Sequence, residues 1–544
     1  MARLRRNATK LPRCGSTPVS DKADKPPINL NVLYNISIMS AIIPRSTVSA
    51  VEATVVLDEP VGTINPNVQG HFIEHLGACI YGGIWTGHRS EIKDWKGIRL
   101  DVIEALRAIK PPVLRWPGGC FADDYHWKDG VGPRHRRPRR VNLHWGDCVE
   151  TNEFGTHEFI DLCRAIGAEP YLAGNLGSGS PAEMREWVEY CNYPSGTTLS
   201  DQRIENGASN PFGVKYWGVG NENWGCGGNM SAADYAAQYR RYATFFRPWG
   251  GTEPELVACG PLGNDLDWTR SFFEKLYEKG PRDCIRINGF AAHRYCFNRG
   301  EAGADALDFN DEGWYSVLTD AHKMEQLIVQ QRYLMDEYDP MRKIGLIVDE
   351  WGAWHKQPVG AQILWQQNCI RDAMLAATTL DIFNRHADKI AMANIAQTVN
   401  VLQALILTQG DKLVKTPTYH VYDLYKGHQG SESLRLEIDS PLVANLPQVS
   451  GSASIQGGVL TVTLTNLSIS SGREVRLSLQ GLKLDKQATL HELAYKGGDV
   501  KAHNNFDDPC AVSVEQREDL QPYDGGFCLD LEPASIARIT AQMG

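Results

Sequence analysis

The chain has 544 residues, 42% of them hydrophobic and 22% charged, with a formal net charge of −10. That length exceeds one ordinary domain and accommodates a barrel of roughly 250–400 residues with a smaller companion. The negative balance gives no basis for binding nucleic acid or an anionic membrane, and no apolar run reaches the roughly 18–20 residues that span a bilayer.

Residues 1–50 stand apart. They carry eight Lys/Arg against only Asp21 and Asp24, with several Pro and Ser and weak periodicity. They read as a disordered extension; an Arg-rich leader and an over-long start ahead of Met39 are the other readings. Residues 51–67 contain a strand, Ala53–Leu57, expected to join the C-terminal domain.

From residue 68 onward eight strand-like runs recur: Val68–Phe72, Pro112–Trp116, Glu169–Ala173, Val214–Val219, Leu256–Gly260, Ile287–Ala292, Ile344–Val348 and Ile390–Ile395. The intervals are each long enough for a helix, and several carry start signals. Ser180-Pro-Ala-Glu183 is a capping box with Pro at the first helical position. Ser231-Ala-Ala-Asp234 opens another helix, and the run from Asp267 a third. Strand alternating with helix predicts an α/β fold, a (β/α)8 TIM barrel over residues 68–410. After about residue 411 the apolar period falls to two, as in Leu434/Leu436/Ile438, Leu460/Val462/Leu464 and Val475/Leu477/Leu479. This predicts an antiparallel, jelly-roll-like β-sandwich over 411–544.

Most barrel runs end in polar residues: His71 and Glu74, Arg115, Asn175, Asn221 and Glu222, His293 and Tyr295, Glu350, and Gln397. Polar groups at one end of parallel strands converge on one pocket. Gly220-Asn-Glu222 and Asp349-Glu-Trp-Gly352 each follow an apolar run. Two carboxylates on different strands suggest the acid pair of a glycosidase. Fourteen tryptophans and twenty tyrosines suit the walls of a sugar site, although core packing accounts for most of them.

Other patterns point elsewhere more weakly. His71-Phe-Ile-Glu74-His75 matches a zinc-protease run, but it follows a strand and leads into glycines rather than lying on a helix. Gly218-Val-Gly220 begins a dinucleotide fingerprint that fails at Asn223. The cluster Arg134, Arg136, Arg137, Arg139 and Arg140 suits salt bridges or a subunit contact better than nucleic acid. Thirteen scattered cysteines without a Cys-x-x-Cys pair predict reduced thiols and a cytoplasmic location, with residues 1–50 leaving secretion open. Asn-x-Ser/Thr triplets at Asn7, Asn35, Asn229 and Asn466 matter only in a secreted chain.

The segments Gly70-His-Phe-Ile-Glu-His-Leu-Gly77, Arg115-Trp-Pro-Gly-Gly119, Asn152-Glu-Phe-Gly155, Gly218-Val-Gly-Asn-Glu222, Val348-Asp-Glu-Trp-Gly352, Asn394–Asn400 and Thr416-Pro-Thr-Tyr-His420 occur in that order. Together the chain resembles glycoside hydrolase family 51, the retaining α-L-arabinofuranosidases, across roughly residues 52–425. The resemblance implies Glu222 as general acid/base and Glu350 as nucleophile. It implies Asn221 as partner of the sugar 2-hydroxyl, and Glu74, Tyr295 and Gln397 as ring-binding groups. Arg115 would pair with the nucleophile and Trp354 would wall the cleft; His293, at the end of the sixth run, is a further substrate-binding candidate. Cys120 departs from members that place a sugar-bonding Asn there; as a thiol it would bond weakly.

The implied chemistry is double displacement without metal or organic cofactor, with the Glu222 carboxyl expected to keep its proton because burial and the second carboxylate raise its pKa. The implied partner is an arabinofuranosyl oligosaccharide such as arabinan or arabinoxylan fragments, and the family implies a homo-oligomer. A retaining glycosidase of the same architecture acting on β-glucan or xylan, and a non-catalytic carbohydrate-binding protein, are the alternatives.

Overall fold

The computed structural model describes residues 50–87, 91–279, 285–297, 305–480, 488–495, 498–523 and 525–543. The extension expected over residues 1–50, with Asn7 and Asn35, lies outside the described residues save Ala50.

Eight parallel strands close a barrel. They are β1 (Gly70–Phe72), β2 (Val113–Trp116), β3 (Glu169–Gly174), β4 (Tyr216–Val219), β5 (Glu255–Leu262), β6 (Gly289–Phe297), β7 (Gly345–Trp354) and β8 (Ile390–Ala396). Each coincides with an expected run, and a helix follows each one. Ser180 Oγ accepts the Glu183 amide to start the helix Pro181–Asn192, and Ser231 does the same for Ala232–Ala243. Inside the barrel Val113, Tyr171, Val257, Ala291, Ile347 and Met392 form one buried layer, a residue from each of six strands. That layer makes the barrel a packed core and leaves its C-terminal mouth for chemistry. The eighth helix is Pro417–Tyr425. The expected boundary at 410/411 therefore falls before the barrel's last helix, because Pro417 at the first helical position restarts a helix after the Ile406–Lys415 hairpin.

The C-terminal domain is one ten-stranded sheet folded over its own core. Its pairs are antiparallel apart from one. The strand Val51–Thr63 lies between Glu432–Asp439, antiparallel to it, and Arg473–Gln480, parallel to it. The segment before the barrel thus completes the domain after it.

Candidate active site

Period-two alternation carries the inner layer upward to the mouth. Two residues beyond Val113 is Arg115; beyond Ala291 come His293 and Tyr295. β7 departs from this rule. It runs on to Trp354, so Glu350 lies within the strand rather than past the end of an Ile344–Val348 run. Ala292 pairs with Val348 and His293 with Glu350, leaving Asp349 as the extra residue of a bulge. A bulge re-aims side chains, and here Asp349 and Glu350 both reach the barrel interior.

Arg115 ties these groups together. Its Nη1 donates to Glu350 Oε1 at 2.8 Å and its Nη2 to Asn221 Oδ1 at 2.6 Å, while Nε lies 3.3 Å from Asp349 Oδ2. Asp349 also accepts from Tyr171 Oη at 2.7 Å and Asn394 Nδ2 at 2.9 Å. Tyr295 Oη donates to Glu350 Oε2 at 2.7 Å. Burial works to raise the Glu350 carboxyl, but the charges of His293 and Arg115 and the bonds from Tyr295 and Arg115 outweigh it, so Glu350 is held below its ordinary value. It is a buried carboxylate kept ionised.

Glu222 follows the end of β4 with φ of 42°, in the left-handed region. A non-glycine residue held there reflects a constraint imposed by its surroundings. Asp123 supplies it: one oxygen accepts the Leu176 and Gly177 amides, the other the Asn221 amide and Asn223 Nδ2. Glu222 Oε1 meets His293 Nδ1 at 2.9 Å, and the same nitrogen is 3.6 Å from Glu350 Oε2. Burial acts to lower the His293 ring, yet Glu350 and Glu222 together hold it above its ordinary value. These three donor atoms lie within 4.8 Å of one another. His293 Nδ1 could hold a cation only by giving up its bond to Glu222.

Glu74, two residues past β1, accepts from Phe121 N at 3.1 Å, Trp145 Nε1 at 2.9 Å and Gln397 Nε2 at 3.0 Å. Burial, then the charge of Glu350, push its carboxyl up to about 7. Gln397 Oε1 is buried with no partner among the described residues. It lines the narrow pocket formed with Glu74, Trp145, Glu222, Tyr295, Glu350 and Trp354. Trp354 packs edge-on against Tyr295, ring centroids 5.1 Å apart. An orphaned acceptor among aromatic walls suits a sugar hydroxyl.

All ten sequence candidates therefore meet at one mouth, with Arg115, Asn221 and His293 beneath the groups that line the pocket. Two other strand-end residues do not join them. His71 is buried with both ring nitrogens unbonded among the described residues, and burial alone lowers it to about 3; Asn175 organises its own loop through Ser178 and Gly179. The zinc-protease pattern dissolves: His75 Nδ1 binds Glu150 at 2.8 Å while Glu74 faces the pocket. In the arginine cluster Arg134 and Arg137 pair with Glu158, and Arg140 pairs with Asp129.

Cys120 requires a correction. It is not a free thiol but is disulfide-bonded to Cys226, with Cα atoms 5.5 Å apart. The 106-residue separation left the pair invisible to spacing arguments. Among the described residues nine other cysteines are free. Trp145, Asp123 and Tyr171 were missed as site residues; none belongs to a motif, and only the folded loops bring them in. Asp349 could have been found, since it adjoins Glu350 in the same run.

A closed parallel barrel that gathers two carboxylates, from the loop after β4 and from β7, at its C-terminal mouth, one ionised by arginine and one at the rim, defines a glycoside hydrolase. Residues 105–279 match the family profile of the α-L-arabinofuranosidase 1 domain, and residues 349–535 that of the α-L-arabinofuranosidase C-terminal domain. The chain is 37% identical to an intracellular exo-α-L-arabinofuranosidase of Bacteroides ovatus, over 94% of this chain and 99% of that one. It is 31% identical to an intracellular exo-α-(1→5)-L-arabinofuranosidase of Streptomyces lividans, over 87% and 73%. The crystal structure of the GH51 arabinofuranosidase from Xanthomonas axonopodis pv. citri superposes with a TM-score of 0.87 at 39% identity, over 91% and 100%. The chain belongs to glycoside hydrolase family 51, the α-L-arabinofuranosidases.

Proposed function

We propose that the protein is a retaining, exo-acting α-L-arabinofuranosidase that removes terminal arabinofuranose from arabinan- or arabinoxylan-type oligosaccharides. The observation that carries this reading is the His293 bridge: its Nδ1 lies 2.9 Å from Glu222 Oε1 and 3.6 Å from Glu350 Oε2, so the two carboxylates stand on either side of a single imidazole nitrogen. Retaining enzymes hold their carboxyl groups roughly 5–5.5 Å apart, inverting ones roughly 6.5–9.5 Å. The narrow pocket, walled by Trp145, Trp354, Leu364 and Leu402, favours a terminal sugar over a chain threaded through.

Glu350, held ionised by Arg115, attacks the anomeric carbon. Glu222 protonates the departing oxygen, then deprotonates the water that cleaves the glycosyl-enzyme. Side-chain exposure of 17% for Glu222 against 6% for Glu350 matches those roles, since the acid/base must meet leaving group and water while the nucleophile must not. Asn221, oriented through its oxygen by Arg115, offers its amide NH2 to the sugar; Glu74 and Gln397 take ring hydroxyls. The names of the two bacterial relatives support placing the protein inside the cell. A homo-oligomer is part of the same reading and is read by light scattering.

The test is hydrolysis of 4-nitrophenyl α-L-arabinofuranoside with azide as rescue nucleophile. Glu222→Ala should lose on the order of 10²–10⁴-fold in rate and regain it with azide as the α-azide, formed on the glycosyl-enzyme. Glu350→Ala should yield the β-azide by direct displacement. A folded wild type that ignores this substrate yet cleaves a nitrophenyl glucoside or xyloside would replace the proposal with the glucan or xylan reading.

A further inference from the structure

The disulfide sits against the acid/base. Cys120 begins the turn after β2, and Cys226 lies four residues beyond Glu222. Glu222 Oε2 is 3.5 Å from Cys226 Sγ and 3.9 Å from Cys120 Sγ. Disulfide sulfurs carry no proton, so these are contacts, not hydrogen bonds. The other carboxylate oxygen is occupied by His293. Both sulfurs and Oε2 lie within 4.8 Å of one another, and all three residues are only half-buried.

Those separations are close to the edges of a metal polyhedron. Zinc binds thiolate at about 2.3 Å and carboxylate oxygen at about 2.0–2.2 Å in tetrahedral geometry, which places sulfur and oxygen roughly 3.5 Å apart and two sulfurs roughly 3.8 Å apart. Once the S–S bond is broken, the two sulfurs relax to non-bonded contact, roughly 3.5–4 Å. The carboxylate already stands at the required distance, and Asp123 fixes the backbone that carries it.

We propose that reduction of Cys120–Cys226 turns the pocket rim into a two-thiolate, one-carboxylate site for a thiophilic divalent cation such as zinc, and that the bound cation stops hydrolysis by occupying Glu222 Oε2. The inhibition rests on Glu222 being the acid/base; the site itself does not. In the reduction, two electrons and two protons from a dithiol convert the disulfide into two thiols, and the dithiol becomes a disulfide. Zinc then binds as both thiols release their protons. Soft thiolates select zinc over magnesium or calcium. A cation placed instead among Glu222, His293 and Glu350 would bind in either redox state, so the two sites are distinguishable.

The experiment compares oxidised enzyme with enzyme reduced by a phosphine, thiol counting reporting two new thiols. Each is given zinc, passed through gel filtration and assayed for metal content and for rate; cobalt(II) in place of zinc reports thiolate ligation by its charge-transfer absorption. Reduced enzyme should retain one more equivalent of zinc than oxidised enzyme and lose at least about tenfold in rate, recovered with a chelator. Reduced Cys226→Ser and the double variant Cys120→Ser/Cys226→Ser should hold no extra equivalent and show no zinc-dependent loss from their own zinc-free rates. Equal zinc in both redox states, retention of the extra equivalent by the double variant, or a disulfide that resists the phosphine in the folded enzyme would overturn the site. An extra equivalent with unchanged rate would overturn the inhibition, and the azide products would then tell independently whether the role of Glu222 falls with it.

Discussion

At the residue scale the site is an exercise in neutralising buried acids. The buried Glu350 and Asp349 and the half-buried Glu222 share a mouth in which, among the described residues, Arg115 and His293 contact and balance them. His293 faces Glu222 and Glu350 directly, with Arg115 beyond, and its pKa stands above the ordinary 6.5. A histidine whose pKa rises on folding contributes stability that is complete below about pH 6.5 and disappears as pH climbs through the raised value. His293→Gln removes that contribution. The gap in melting temperature between wild type and His293→Gln should therefore be widest near pH 6 and narrow by on the order of 1–2 °C by about pH 9; a gap constant across that range would refute the protonated bridge. Residue identities at the mouth were largely legible, because Glu74, Arg115, Asn221, Glu222, Tyr295 and Gln397 sit near or just past the C-terminal ends of barrel strands and Glu350 follows an apolar run, places where polar side chains have few other uses. Cys120 was not legible as a disulfide: its partner is set by how two loops meet, and composition pointed to free thiols.

At the element scale the strands were readable because apolar runs alternate with helix start signals; the structure carries β3, β5, β7 and β8 past the expected ends, trims β1, β2 and β4 at their starts, and moves β6 toward its C-terminal end. The bulge at Asp349 was not readable. Bulge formation depends on register against β6 and β8, which a single strand's sequence does not contain. The turn after β2 shows the same dependence on neighbours. A Cβ added at Gly119 would lie 2.5 Å from Glu74 Oε2 and 2.6 Å from its Oε1, so the glycine makes room for the carboxylate that Phe121, Trp145 and Gln397 hold. Gly119→Ala should push Glu74 out of that cradle and lower kcat/KM on the order of 10²-fold, since misplacement of a positioning group by about 1 Å costs that much. The check is steady-state kinetics on the nitrophenyl arabinofuranoside with circular dichroism to establish folding; a folded variant within twofold of wild type would refute the steric argument.

At the scale of the whole molecule the barrel and the β domain are one structure. The helix Ile370–Arg385 follows the strand that carries Glu350, and its residues from Ile370 to Asn384 are all buried. Its outer face belongs to the β domain: Asp381 accepts from Ser452 and Thr463, each at 2.7 Å, Asn384 Nδ2 donates to Ser452 Oγ at 3.0 Å, and Arg385 donates to the Gly451 carbonyl at 2.9 Å. From the other end of the chain Val51, Ala53 and Val55 are buried in the β domain's core, and each buried valine stabilises by about 1.5–3 kcal/mol. A chain ended after Gln429 would strip that helix of its cover and leave the strand Val51–Thr63 without either neighbour, an unpaired apolar edge prone to association. The truncated chain should therefore be insoluble or lose at least about a hundredfold in activity, while the full chain melts in a single calorimetric transition. A soluble truncation with kcat within tenfold of the full chain, or two resolved transitions in the full chain, would show instead that the nucleophile strand stands without the domain behind it.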